Sequence, residues 1–232
     1  MTEPPITTLE DTWVFANNWW LSDPTRLSAA FDAVMSAMRS RGGYHSVSHI
    51  ERMLAKYRQW CGVVSAAPDP RLVSWIFAHD LVYMPGAPDN EQESATQMDR
   101  LLAEIGGRRR IERDDRTAIE STKSHLPVDP AQLDEPGLAD TIHLLHDLDM
   151  EILGSSIQEY ETYRAAVYAE YLAASADPSA FHPLWLQGRK AFLESMLQRD
   201  RIFKTPVFET FEQHARDNMR DELGKILAER GE

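Results

Sequence analysis

The chain reads as all-α, one compact multi-helix domain, and three features of its 232 residues carry that expectation. Capping side chains stand directly ahead of prolines at Ser22-Asp23-Pro24 and Asp69-Pro70. Proline suits a first helical turn because the N–H it lacks would be unpaired there anyway. Apolar residues recur three and four apart, as in Leu27, Phe31, Val34, Met35 and Met38, which is the stripe of a half-buried helix. Alternating strand patterns bounded by tight hairpin turns are absent.

The elements follow in chain order. Ser22-Asp23-Pro24 opens the helix that carries the first stripe, and Gly42-Gly43 interrupts the pattern after it. Ser46 is placed to cap the next helix, which puts His45 and His49 on one face if both belong to it. Asp69-Pro70 starts a helix that ends near His79-Asp80. The stretch Glu91 to Ile105 is rich in helix formers and stops at Gly106-Gly107. Periodic segments then run from Leu138 to Leu153, Ile157 to Ala174, Phe181 to Phe203 and Phe208 to Ala228. The breaks at Gly42-Gly43, Leu126-Pro127-Val128-Asp129-Pro130 and Asp177-Pro178-Ser179 are too short for flexible linkers. One domain over residues 1–232 is therefore expected, with core motifs in 41–205 and the C-terminal helices of 181–232 packed on it.

Composition narrows the functional classes. The formal charge of −13 argues against an extended nucleic-acid surface, which needs clustered positive charge. The one basic knot, Arg108-Arg109-Arg110 with Arg113 and Arg116, runs straight into Asp114-Asp115 and reads as a solvated helix start. No apolar stretch approaches the roughly 20 residues of a membrane helix. Met1-Thr2-Glu3-Pro4-Pro5 lacks the basic-then-apolar pattern of a secretion signal. The single cysteine, Cys61, excludes an internal disulfide framework and reads as a small buried hydrophobe, so a cytoplasmic setting is expected.

Chemistry concentrates in four residues: His49, His79, Asp80 and Asp149. His79-Asp80 interrupts an otherwise apolar run from Trp75 to Tyr83, and two polar groups losing hydration there need a partner. A divalent cation is one, since imidazole and carboxylate are both ordinary metal ligands. Asp149 borders the apolar face set by Leu144, Leu145, Leu148 and Ile152, and Asp147 is its runner-up or an outer partner. Two imidazoles and two carboxylates make a partial shell with positions left for water and a substrate oxygen. Manganese, magnesium, iron, nickel and zinc all fit such donors, and the set contains no cysteine ligand that would suggest a closed structural zinc site. The loop from Met84 to Glu91 suits ligand access, with Asn90 and Glu91 as outer partners of the ligands. Lys123 and His125 are further candidates for contact with phosphate or a second ion, against their simpler reading as helix-end residues. His146-Asp147 repeats the dipeptide in a less apolar setting and reads as a decoy, while Arg189 reads as a buried ion-pair partner.

The order His, His-Asp, Asp resembles the HD superfamily of metal-dependent phosphohydrolases. The segments Tyr44-His45-x-x-x-His49-Ile50, Phe77-Ala78-His79-Asp80-x-Val82-Tyr83, Asp89-Asn90-Glu91-x-x-Ser94-Ala95 and Asp147-x-Asp149-x-x-Ile152-Leu153-Gly154 resemble a small branch of predicted hydrolases within it. So do Gly188-Arg189 and Arg201-Ile202-Phe203-Lys204-Thr205. The resemblance implies an all-helical fold with His49, His79, Asp80 and Asp149 around a metal ion. The segment from Tyr44 to His49 is also similar to cyclic-nucleotide phosphodiesterases, and that similarity gives His45 the role of general acid. The chain is too short for that family and lacks its other motifs, so a cyclic nucleotide is not implied.

The expected activity is hydrolysis of a phosphoester in a small phosphorylated metabolite, such as a nucleotide, by water activated at the metal. The alternatives are an HD-like sensor or scaffold that binds a metal or ligand without turnover, and a helical interaction protein in which His79-Asp80 is a core hydrogen bond. A homo-oligomer is left open. There is no glycine-rich phosphate loop and no dinucleotide fingerprint to name the substrate.

Overall fold

The computed structural model describes residues 8–18, 23–107 and 110–231. Met1-Thr2-Glu3-Pro4-Pro5, Ser22 and the Arg108-Arg109 part of the basic knot lie outside the described residues. Among the described residues the regular structure is entirely helical. The α-helices are α1 (Leu9–Asn17), α2 (Pro24–Arg39), α3 (Val47–Val64), α4 (Pro70–Ala78), α5 (Asn90–Glu104) and α6 (Arg113–Ser121), then α7 (Ala139–Met150), α8 (Ile157–Ala174), α9 (Pro178–Leu197) and α10 (Glu209–Arg230). The chain divides into two compact units, Met1–Leu145 and His146–Glu232, and the division falls within α7.

In the first unit α4 is the central element. Asp69 accepts the Arg71 N–H at 2.8 Å and Pro70 fills the first turn, so the helix starts where the sequence places it. Leu72 through Ala78 are all buried, and α4 meets α1, α3, α5 and α6. A helix that is apolar on every side has no solvent face, so other helices must surround it. Phe77 takes the edge of Trp13 at 5.3 Å, and the Trp13 indole N–H donates to Leu27 O at 2.8 Å, which ties α1 to α2. The polar groups on α4 find partners inside. Ser74 donates to Asn17 Oδ1 at 3.0 Å, and the Trp75 indole donates to Asp115 Oδ1 at 2.9 Å. Arg71 Nε shares that carboxylate oxygen at 2.6 Å, so buried Asp115 fastens α6 to both ends of one α4 turn. The described part of the basic knot is ion-paired: Arg110 with Asp99, Arg113 with Asp134 and Arg116 with Glu120.

The second unit is built around α10, which meets α9 and the 3-10 turn of residues 151–154. A side chain at Gly154 would collide with the Cβ and backbone O of Phe211, both 2.7 Å from an ideal Cβ, so only glycine allows this approach. Arg189 and Glu222 form the buried ion pair expected of Arg189. The Arg189 Nε and an NH2 group donate to the two Glu222 oxygens at 2.9 and 3.0 Å, and the Tyr160 hydroxyl donates to Glu222 Oε2 at 2.5 Å. Phe192 and Tyr163 lie 4.8 and 5.4 Å from the guanidinium carbon.

The largest departures from the sequence reading are at α9 and ahead of α3. α9 begins at Pro178, because Asp177 caps it through the N–H groups of Ser179 and Ala180, and it ends at Leu197 instead of running to Phe203. After α9, carboxylates capture the backbone. Glu212 accepts the Ile202 and Phe203 N–H groups at 3.0 Å each, and Asp147 accepts those of Lys204 and Thr205. Donors engaged by side chains cannot continue a helix. Ser46 does occupy the position before α3, but its hydroxyl faces Ser48 Oγ and Gly43 O and makes no cap bond, and His45 lies ahead of the helix.

Removing one member of the Arg189–Glu222 pair leaves the other charge buried. Glu222→Ala should cost about 3–5 kcal/mol, whereas the apolar double replacement Arg189→Met with Glu222→Leu should recover most of it. Urea denaturation measures both. A loss below about 1 kcal/mol for Glu222→Ala would show that the pair does not hold α9 to α10.

Candidate metal centre

His79 caps the C-terminus of α4, its backbone N–H donating to Trp75 O at 2.9 Å. Its ring is set by the same turn. Nδ1 lies 2.9 Å from Ile76 O, and a carbonyl oxygen can only accept, so Nδ1 carries a proton and Nε2 turns the other way. His49, in the first turn of α3, points its Nε2 to within 3.3 Å of His79 Nε2. Asp80 Oδ2 lies 3.3 Å from His79 Nε2 and 3.9 Å from His49 Nε2. Both imidazoles are buried, and the Asp80 side chain is 14% exposed, less enclosed than the sequence suggests.

These three donors are the group among the described residues able to hold a metal ion. A neutral His79 with its proton on Nδ1 aims a lone pair at the Asp80 carboxylate. Two acceptors 3.3 Å apart in a buried setting repel unless a proton or cation lies between them. The spacing also suits an ion. Ligand atoms about 2.0–2.2 Å from a tetrahedral ion lie roughly 3.3–3.6 Å from one another. Two of the observed separations fall there, and the third, 3.9 Å, is a little wider. The donor set and its geometry fit a divalent ion with further positions open.

The surroundings of the trio are aromatic on one side. His45 is half-buried and stacks on Tyr83 with ring centroids 4.0 Å apart and planes at 25°. Its ring is 6.0 Å from that of His49, while Tyr44 lies 4.7 Å from His49. His45 is therefore beside the donor group without being part of it.

The loop after Asp80 is held by α5. Buried Ser94 donates to Val82 O and accepts the Val82 N–H, both at 3.0 Å. One turn earlier Asn90 accepts the Met84 N–H and donates to Met84 O, both at 2.9 Å. Asn90 thus acts as a brace for the loop, and half-buried Glu91 follows it on the first turn of α5. Lys123 donates its ammonium to Pro88 O on the same loop. His125 ends the segment after α6 with a left-handed backbone, φ 49°, its N–H donating to Ser121 O.

Asp149 is half-buried on α7 and belongs to the second unit, apart in the chain from the three clustered donors. Asp147, two residues earlier, is fully engaged. Its carboxylate accepts from the Lys204 and Thr205 backbone N–H groups and the Thr205 hydroxyl, at 2.6 to 3.0 Å. Burial nonetheless raises its carboxyl above the usual range. Burial likewise pushes the Lys204 ammonium down to about 8, with Asp147 and Asp149 among the carboxylates that oppose the shift.

Sequence reasoning assigned no role to Arg41, Tyr83 or Ser94. Tyr83 and Ser94 carry no local signal beyond their segments, and an arginine beside Gly42-Gly43 looks like any turn residue.

No protein-family model, no curated protein and no solved structure matches this chain.

If Asp80 is a ligand, metal should stabilise the wild type and fail to stabilise Asp80→Ala. Saturation at roughly 100-fold above Kd contributes about 2.7 kcal/mol. Thermal unfolding with and without manganese or zinc reads the difference. An equal metal-induced shift in Asp80→Ala would remove Asp80 from the ligand set.

Proposed function

We propose that the protein is a metal-dependent phosphohydrolase of HD type acting on a small phosphorylated metabolite. The observation that carries this reading is the convergence of His49 Nε2, His79 Nε2 and Asp80 Oδ2 within 3.9 Å of one another. Three donors of two chemical types at the end of an apolar helix suit a catalytic ion with open positions better than a closed structural one.

A divalent ion bound there supplies Lewis-acid polarisation of a phosphoryl oxygen and an activated water. The chain supplies the rest. His49 and His79 would present imidazole nitrogens to the ion, and Asp80 would offset part of its charge. His45 stacks on Tyr83 near the donors, which supports giving it the task of protonating a leaving oxygen. In a chain of net charge −13, a bound ion would supply local positive charge for a phosphorylated substrate. No helix among the described residues is long and apolar enough to cross a membrane.

Metal analysis of purified protein, followed by a screen of nucleotides and sugar phosphates for phosphate release, tests the proposal. Turnover should require the metal and stop with a chelator. A metal-loaded protein that releases no phosphate from any of them would favour the sensor. Within an active preparation, His45→Ala should keep its metal while turnover falls by roughly 10²–10⁴. The loss should shrink for nitrophenyl phosphates, whose leaving groups need little protonation. Unchanged turnover on an alkyl phosphate would take His45 out of the mechanism.

A further inference from the structure

We infer that Arg41 is a positioning residue for the metal centre, stapling the end of α2, just ahead of the segment that carries His49, to the turn that carries His79 and Asp80. Its guanidinium donates through NH1 to Asp80 O and through NH2 to Leu81 O, each at 2.5 Å. Arg41 thus grips two consecutive carbonyls on the turn that leaves α4, and one of them belongs to a proposed ligand.

The grip matters because of where the two segments come from. Arg41 precedes α3, on which His49 sits, whereas His79 and Asp80 terminate α4. Packing between α3 and α4 brings the helices together but does not fix the turn beyond Ala78, whose carbonyls have no helical partner. A forked donor on one segment and paired carbonyls on the other define a distance and an orientation at once. On its far side the same turn is held by Ser94 through Val82, so residues 80 to 82 are clamped from both directions. The 3.3 and 3.9 Å separations from Asp80 to the two imidazoles are the product of that clamp. Both Arg41 bonds go to the backbone that aims the Asp80 donor.

This role rests on the metal reading of the cluster, and the test separates the two. Cobalt(II) is titrated into the full-length wild type, Arg41→Met, Arg41→Lys and Phe31→Leu, following its visible absorption and the affinity. Phe31→Leu is a control for loss of core packing, since Phe31 is buried on α2 and packs on Trp13 and on Phe77 of α4 without belonging to the donor group. Arg41→Met should bind cobalt roughly 10–100-fold more weakly, with an altered spectrum at saturation. Arg41→Lys, able to reach one carbonyl, should fall between, and Phe31→Leu should bind as the wild type does. Wild-type affinity and spectrum in a folded Arg41→Met would overturn the role of Arg41 while leaving the metal site standing. A parallel loss in Phe31→Leu would also overturn it, reducing Arg41 to a stability effect. Absence of cobalt binding in the wild type would overturn the metal reading itself.

Discussion

The constraint on which the first unit depends is that α4 has no solvent face. From Leu72 to Ala78 every residue is buried, so the helix must be enclosed by α1, α3, α5 and α6. Its C-terminal end is therefore enclosed too, and that end carries His79. A buried imidazole whose Nδ1 is committed to Ile76 O has one nitrogen left to satisfy. His49 from α3 and Asp80 from the adjoining turn face that nitrogen, and the proposed centre follows from closing the core around one apolar helix.

The supports of the centre are arranged around the turn after α4. Arg41 holds its carbonyls, Ser94 holds Val82, and Asn90 holds Met84. Each bond satisfies backbone that lies beyond helical pairing, which is where such backbone needs side-chain partners. The outcome is a turn, carrying the candidate donor Asp80, that is fixed on both sides, with His45 and Tyr83 stacked at its edge. In the second unit buried acids do comparable work. Asp147 and Glu212 capture the backbone of residues 202–205, and Glu222 neutralises Arg189. Asp149 differs from Asp147 in keeping a half-exposed side chain on the same helix, which is consistent with assigning the two acids different tasks.

Much of this was legible before any coordinates. Asp69-Pro70 announced α4, the Leu27-to-Met38 stripe announced the buried face of α2, and Gly106 stops α5 with a positive φ of 76°. The His79-Asp80 interruption of an apolar run marked two of the three donors that the fold brings together, because polar groups in such a run are visible as a break in pattern. What was not legible depends on long-range pairing. Arg41 meets residues 39 and 40 positions away, and no local composition marks that meeting. Residues 198–203 look helical by periodicity and are not, because Glu212 and Asp147 take their N–H groups or those just beyond. The hydroxyl of Ser46 sits at a capping position and bonds elsewhere, which sequence spacing alone does not reveal.

The central claim is that one divalent ion is shared by His49, His79 and Asp80. Anomalous diffraction from a crystal grown with zinc or manganese tests it most directly. The account predicts a peak about 2.0–2.3 Å from Nε2 of His49, Nε2 of His79 and a carboxylate oxygen of Asp80. Ordered side chains in the same positions with no anomalous peak between them, at a metal concentration that fills other sites, would contradict it.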